Sequence, residues 1–343
     1  MIKQERIFSA VQSSGDLHLG NYLGALKQWK ELSHKYECIY CAVDMHALTV
    51  NPTPYELRES TYNAICAFIA CGIDTDKHII FNQSRVPQHS ELCWIFNCIA
   101  RVGWLNRMTQ FKEKSGENRE QASLGLYVYP SLMAADILLY KATLIPVGED
   151  QKQHIELTRD IAQKFNNDYQ TRYQELGYGG EYYFALPNSL TPKKSARIMS
   201  LRDGTKKMSK SDPSEFSRIN LKDTADEIAS KFRKAKTDSG ELPDNIAALD
   251  TRFEAKNLLN IYASLHDLSL EQTIENFAGK KFSELKNALT EICVEKIVPI
   301  SQQLRKLAKD KSYIDKIIEE GAQKARNIAE VNIKEIKEIV GYL

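Results

Sequence analysis

The sequence predicts an α/β protein: a doubly wound parallel sheet over residues 1–212, followed by an α-helical bundle over residues 213–343. Three observations predict it. Short apolar runs of strand length alternate with helical stretches, the pattern of parallel strands joined by helical crossovers. Polar clusters close these runs, at Gln12-Ser13-Ser14, Asp44, Gln83-Ser84 and residues 148–151; ligands on such sheets bind beyond the C-terminal ends of the strands. After Asp212 strand-like runs cease, and amphipathic segments rich in Lys, Glu and Ala take over, as in a helical bundle.

Residues 7–11 read as the first buried strand, closed by a polar turn that opens a helical pattern at His18. Residues 37–43 form the second strand. Thr53-Pro54-Tyr55-Glu56 is a capping box with proline at the first helical position, so a helix starts there and runs to about Gly72. Residues 78–83 are a third strand and 88–101 a helix. Residues 144–147 are a further strand, followed by a helix to about Phe165, and residues 197–201 are a last strand. Helices are predicted over 221–236, 251–265, 270–277, 282–309 and 312–340, with a loop at 236–244.

Composition bounds the function classes. A chain of 343 residues suggests two domains. Net charge is +1, so no global attraction draws polyanions, and RNA contacts must come from local patches. No apolar run approaches the length of a membrane span, and residues 1–6 lack a signal-peptide core. Neither a membrane nor DNA is expected as a partner. Seven cysteines, most inside apolar segments, fit a reducing cytosol better than a disulfide scaffold. Cys38 and Cys41 share a strand, where residues three apart point to opposite faces, a poor hook for metal.

Two stretches carry chemistry. Lys207-Met208-Ser209-Lys210-Ser211 follows Gly204 in a polar, lysine-rich loop, whose ammonium groups can meet phosphate oxygens. Gly204 reads as the hinge of a loop that closes. Upstream, residues 8–26 place His18-Leu19-Gly20-Asn21 where a strand turns into a helix, and a helix N-terminus favours phosphate. Gly15 and Gly20 have Walker spacing, but Asn21-Tyr22 stands where Lys-Ser/Thr is required.

These stretches match the two signatures of class I aminoacyl-tRNA synthetases. Residues 126–140, 145–160, 107–115 and 196–201 resemble bacterial tryptophanyl-tRNA synthetases. The likeness is continuous through residues 6–213 and thinner beyond, clearest there at 257–262. It implies a Rossmann-like catalytic domain over 1–212, with a connecting insertion at 84–125 as the dimer interface, and an anticodon-binding helical domain over 213–343. The implied activity is ATP-dependent activation of L-tryptophan, then transfer to tRNA(Trp), in a cytoplasmic homodimer. The alternatives are the tyrosine-specific sister enzyme or a non-catalytic tryptophan- or RNA-binding paralogue.

Residue by residue, the resemblance implies an ATP site of Gln12, Ser13, Ser14, His18, Gly20 and Asn21. Gly148, Glu149, Asp150 and Ile198 would hold ribose and adenine. Lys207, Met208, Ser209, Lys210 and Ser211 would serve the phosphates, with Lys112 and Lys114 as further contacts. Mg²⁺ would arrive with ATP, without a dedicated protein metal site. The tryptophan pocket would comprise Asp136 as acceptor for the indole N–H, with Met133, Phe8, Tyr129, Ile145, Val147 and Gln151. Cys93, Trp94, Ile95, Phe96, Ile99 and Trp104 would supply interface surface, and residues 231–236 would meet the anticodon arm. Taken alone, His46 reads as structural or as a support behind the site rather than catalytic, and Lys152, His154 and Arg159 as a solvated helix face or an interface. Ala10 and Ser13 stand where the family usually has glycine and proline, and residues 177–184 match nothing familiar.

Overall fold

The computed structural model describes residues 5–12, 16–111, 122–148, 151–190, 197–210 and 212–343. Five strands, β1 (Arg6–Gln12), β2 (Glu37–Val43), β3 (Ile79–Asn82), β4 (Leu144–Pro146) and β5 (Asn188–Leu190), form an all-parallel sheet in the order β3-β2-β1-β4-β5. β2 explains its own sequence. Its alternate residues face opposite sides: Cys38, Tyr40 and Ala42 pack with Trp29 and Phe68, whereas Ile39, Cys41 and Val43 pack with Phe8, Phe81 and Phe96. Burial on both faces is why a parallel strand reads as a continuous apolar run. The order reverses between β1 and β4, which opens a crevice at their C-terminal ends.

The helices start where their chemistry dictates. Thr53 Oγ1 accepts from the Glu56 N–H at 3.2 Å, and the Glu56 carboxylate accepts from the Thr53 N–H at 2.9 Å, so the helix Pro54–Ala70 has both terminal donors satisfied. The first signature helix spans residues 19–33 and contains a wider π turn, Tyr22–Leu26.

Two expectations from sequence need correction. Residues 197–201 are not a sheet strand; β5 is Asn188–Leu190. They pair instead with the lysine loop, Ser200 N–H donating to the Lys206 carbonyl at 2.8 Å and Met208 N–H to that of Ile198 at 3.0 Å. Ile198 and Leu201 are buried, and a short apolar run does not disclose which partner it will pair with. The helix after β4, Lys152–Glu175, also runs past Phe165. The polar Asn166 that suggests a stop is buried, with its amide bonded to both backbone groups of Phe184.

Helices Ala225–Arg233, Phe253–His266, Leu270–Phe277 and Phe282–Ala308 share one core cluster with the signature helix. The terminal helix Lys311–Val340 returns to the sheet: its Ala322, Ala325, Ala329, Ile333 and Ile336 join Phe8, Ile39 and Phe81 in the other cluster. Gly321 meets the edge strand β3 so closely that a Cβ there would lie 1.8 Å from the Ile80 carbonyl oxygen. The unfamiliar loop at 177–184 ties this helix down. Tyr183 and Tyr178 donate to Glu335 at 2.9 Å and Glu338 at 2.6 Å, and Phe184 is buried.

Candidate active site

A cavity of ≈ 280 Å³ opens where the strand order reverses. β1 contributes Phe8, Ser9, Ala10 and Gln12, and β4 with its following residue gives Ile145, Pro146 and Val147. Tyr129, Met133, Asp136 and Ile137 project from the helix Leu124–Leu138, and Gln151 comes from the start of the next helix. All seven residues expected to hold an aromatic amino acid therefore line one mostly apolar cavity. Ala10, the departure from the usual glycine, puts its methyl in the same wall.

Asp136 is the polar centre. It is 2% exposed, a position that demands hydrogen-bond partners. Oδ1 accepts from Gln83 Nε2 at 2.6 Å and His89 Nδ1 at 2.7 Å; Oδ2 accepts from His46 Nε2 at 2.8 Å. Burial alone would push the carboxyl up, but the facing imidazoles of His46 and His89 outweigh it and hold it at about 2. The group is thus an ionised acceptor. His46 lines the cavity, whereas Gln83 and His89 stand behind the carboxylate. A carboxylate offers about four acceptor positions, so one on the Oδ2 side stays open toward the cavity.

The first signature and the lysine loop meet nearby. Leu19 N–H donates to the Ile219 carbonyl at 2.8 Å and Leu221 N–H to that of Leu17 at 2.9 Å, which clips the signature turn to the segment after the lysine loop. Asn21 Oδ1 accepts from the His18 N–H at 3.1 Å. Gly20 packs tightly: a Cβ would lie 3.0 Å from the His18 ring, which would have to give way. His18 is buried, and its Nδ1 has no hydrogen-bond partner among the described residues. Burial, then the charges of Lys210, Arg218 and Lys207, bring its pKa down to about 3. Burial also lowers Lys210 to about 8, with Asp16 opposing. Three cations around a neutral imidazole with an unmet ring nitrogen suit a polyanion of the triphosphate kind.

The remaining expected residues divide. Met208 and Ile198 are buried at 2% and 4% exposure and hold the lysine loop through their backbone bond. Lys207 is exposed, and so is Gly148, just beyond β4. Ser13, Ser14, Lys112, Lys114, Glu149, Asp150 and Ser211 lie outside the described residues. Among the described residues, no cluster of His, Cys, Asp and Glu converges as a metal site, and no helix is long and apolar enough to cross a membrane.

Sequence reasoning did not join His46, Gln83 and His89 to Asp136: it read His46 as structural or supporting and Gln83 as part of a polar cluster at a strand end, and it did not single out His89. Each reaches Asp136 from a different element, and only the three-dimensional packing joins them. It also misread others. His154 is not solvated but 1% exposed, hydrogen-bonded at 2.8 Å to the Tyr129 hydroxyl. Ile95, Phe96 and Ile99 are core residues; among the described residues of that region, the large apolar groups that are exposed are Trp94, Val102 and Leu124. In residues 231–236, Phe232 is buried and Lys231 is paired with Asp223 at 2.5 Å, so only Arg233, Lys234 and Lys236 face outward. Gly204 is tight packing rather than a free hinge: a Cβ would lie 2.5 Å from the Phe253 carbonyl carbon.

Comparison with known proteins gives a consistent result. The family described as tRNA synthetases class I (W and Y) matches residues 3–296. A tryptophan–tRNA ligase of Brucella melitensis biotype 1 is 55% identical, over 98% of this chain and 98% of its own. The solved tryptophanyl-tRNA synthetase of Mycoplasma pneumoniae superposes with a TM-score of 0.85 at 31% identity, over 99% of this chain and 98% of that one. That of Campylobacter jejuni, complexed with ADP and tryptophan, gives 0.79 at 31% identity, over 98% of this chain and 99% of its own.

Proposed function

The chain belongs to the class I tRNA synthetases of the tryptophan and tyrosine type, and from that membership we infer the reaction and the roles of its residues. It is a tryptophan–tRNA ligase. It activates L-tryptophan with ATP to tryptophanyl-adenylate and transfers the amino acid to the 3′ end of tRNA(Trp), releasing AMP and pyrophosphate. The observation that carries the pocket assignment is Asp136: a buried, ionised carboxylate with one acceptor position open to an apolar cavity. Indole brings one N–H donor and a large apolar ring. A phenylalanine ring would leave that acceptor unmet, which is penalised in a buried site. Tyrosine can donate there, so its exclusion rests on ring shape, with Phe8 stacked on Tyr140 at 5.6 Å as the rigid wall.

In activation, the amino-acid carboxylate attacks the α-phosphate in line and pyrophosphate leaves. Both reactants are anionic, so the protein acts by positioning and charge stabilisation. Lys207 and Lys210 supply charge to the α-phosphate and the leaving group, with Ser209 and Ser211 as further donors. His18, neutral at physiological pH by its low pKa, contributes a hydrogen bond rather than a charge. The bare backbone at Gly20 admits the nucleotide, with Gln12, Ser13, Ser14, Asn21, Lys112, Gly148, Glu149, Asp150, Ile198 and Met208 as the rest of its surroundings. Mg²⁺ would neutralise phosphate charge when bound with ATP, held largely by phosphates and water.

The helical half, 213–343, is the proposed anticodon-arm surface, with Arg233, Lys234 and Lys236 as its outward cations. The insertion at 84–125 is the proposed homodimer interface; exposed Trp94, Val102 and Leu124 support it. The setting is the cytoplasm. Tryptophan-dependent exchange of labelled pyrophosphate into ATP, with Mg²⁺ and no tRNA, tests the reading, with tyrosine in parallel. Exchange with tryptophan alone is expected; exchange with tyrosine instead would overturn the specificity. Sedimentation as a monomer would remove the dimer.

A further inference from the structure

Behind the carboxylate of Asp136 runs a buried relay, His89 and Tyr140, neither of which lines the cavity. The Tyr140 hydroxyl lies 2.8 Å from His89 Nε2, and His89 Nδ1 lies 2.7 Å from Asp136 Oδ1. Tyr140 and His89 are both 0% exposed. The polarity of the relay follows from chemistry. An ionised carboxylate only accepts, so His89 Nδ1 must carry the proton. In that Nδ1–H tautomer Nε2 is the acceptor and the Tyr140 hydroxyl the donor; burial first, then Cys41 and Asp136, push the hydroxyl well above its ordinary value, which keeps that proton in place. Gln83 supplies the second donor to Oδ1. Oδ1 is therefore saturated, the carboxylate cannot turn, and the open acceptor stays on the cavity side.

We propose that His89, locked in its Nδ1–H tautomer by Tyr140, is the positioning residue that keeps Asp136 an aimed, acceptor-only group, and so sets the preference for side chains that donate a hydrogen bond there. The proposal rests on the tryptophan-binding reading of the cavity. His89 is not a catalytic residue: it touches neither substrate nor reacting atoms. Without its donor, Asp136 would lose one of the two rear bonds and be easier to protonate. A protonated carboxyl can rotate and donate, so it would tolerate an analogue with no N–H. The groups that face Asp136 are His46, His89, Gln83, Tyr140 and the thiols of Cys41 and Cys93. Burial raises both thiols, so they stay uncharged around neutrality.

The test is pyrophosphate exchange by the full-length protein, with tryptophan and with benzothienylalanine, in which sulfur replaces the indole N–H. The readout is the ratio of the two kcat/KM values as a function of pH, which cancels groups acting on ATP or on the amino-acid backbone. Wild type should hold a constant ratio from about pH 6 to about pH 8. In His89→Leu the ratio should fall at the lower end and recover at the upper, because burial, the largest influence on the carboxyl and one that raises it, is then opposed by fewer donors. His89→Asn, whose amide can donate from near the Nδ1 position, should restore a flat ratio. Tyr140→Phe should move the ratio in the same direction by a smaller factor, and it decides the matter if His89→Leu does not fold. A folded His89→Leu, or Tyr140→Phe in its place, with a ratio as flat and high as wild type would overturn the proposal. Wild type without tryptophan-dependent exchange would instead sink the functional reading beneath it.

Discussion

Burial draws the Lys210 ammonium down to about 8, against the opposing pull of Asp16. The folded pKa lies below the ordinary 10.5, so the unfolded chain binds more protons between these values. The contribution to stability is present above about 10.5 and is lost as pH falls through about 8. Near neutrality Lys210 is charged and poorly solvated, a condition that a phosphate relieves. ATP binding in the absence of tryptophan should therefore weaken as pH rises through about 8, and calorimetry of a Lys210→Arg protein should show that loss displaced upward, since guanidinium stays charged. His18 follows the same sign. Burial, with Lys210, Arg218 and Lys207, lowers it from 6.5 to about 3, so its contribution is full above 6.5 and is lost as pH falls through 3. His18→Asn should flatten the decline of the urea midpoint between about pH 6 and about pH 4; an unchanged decline would discard this origin. At this scale the sequence disclosed the residues that share a motif, such as Lys210 and His18. It concealed that His46, Gln83 and His89 converge on Asp136, from sequence distances of 90, 53 and 47 residues.

Secondary-structure elements were legible where local chemistry decides them. Thr53-Pro54-Tyr55-Glu56 announces its helix because the capping partners are neighbours in sequence, and Thr53→Ala should cost about 1 kcal/mol by urea denaturation. Residues 197–201 were misread because their partner is the lysine loop rather than the sheet. Gly204 was misread for a related reason. Its small size serves close packing against the start of the helix Phe253–His266, where an added Cβ would meet backbone at 2.5 Å. Backbone cannot rotate away as a side chain can, so Gly204→Ala must move either the lysine loop or that helix. The same variant should then lower both the thermal midpoint and the pyrophosphate exchange rate, because the displaced loop carries Lys207 and Lys210. A protein of lower stability but unaltered exchange would show that the loop is not aimed by this contact.

The alternation of strands and helices made the doubly wound sheet legible, but it did not disclose that the chain's last helix belongs to the sheet. Nothing in the amphipathic pattern of residues 312–340 says whether its apolar face meets the bundle or the strands. The structure gives Ala322, Ala325, Ala329, Ile333 and Ile336 to the cluster that contains Phe8, Ile39 and Phe81. Gly321 seats the helix on the edge strand β3, where bare strand edges otherwise invite aggregation. Arg326 reinforces the seat by donating to the Arg85 carbonyl at 3.1 Å, and Lys141 pairs with Glu335 at 3.0 Å. A fragment of residues 1–212 thus lacks one wall of its own core and leaves β3 uncovered, although it carries both signatures. Expressed alone, it should aggregate or bind hydrophobic dyes, and supplying residues 311–343 as a separate chain should restore soluble protein. Gly321→Ala in the full chain is the graded version. The added methyl has to displace the helix from Ile80 and should cost about 1–3 kcal/mol or more, read as a shifted urea midpoint. Because this helix leads back to β3, and β3 leads directly to Gln83 and His89, the same variant should also raise the KM for tryptophan. Stability loss without any change in KM would mean that the wall supports the sheet but does not reach the pocket.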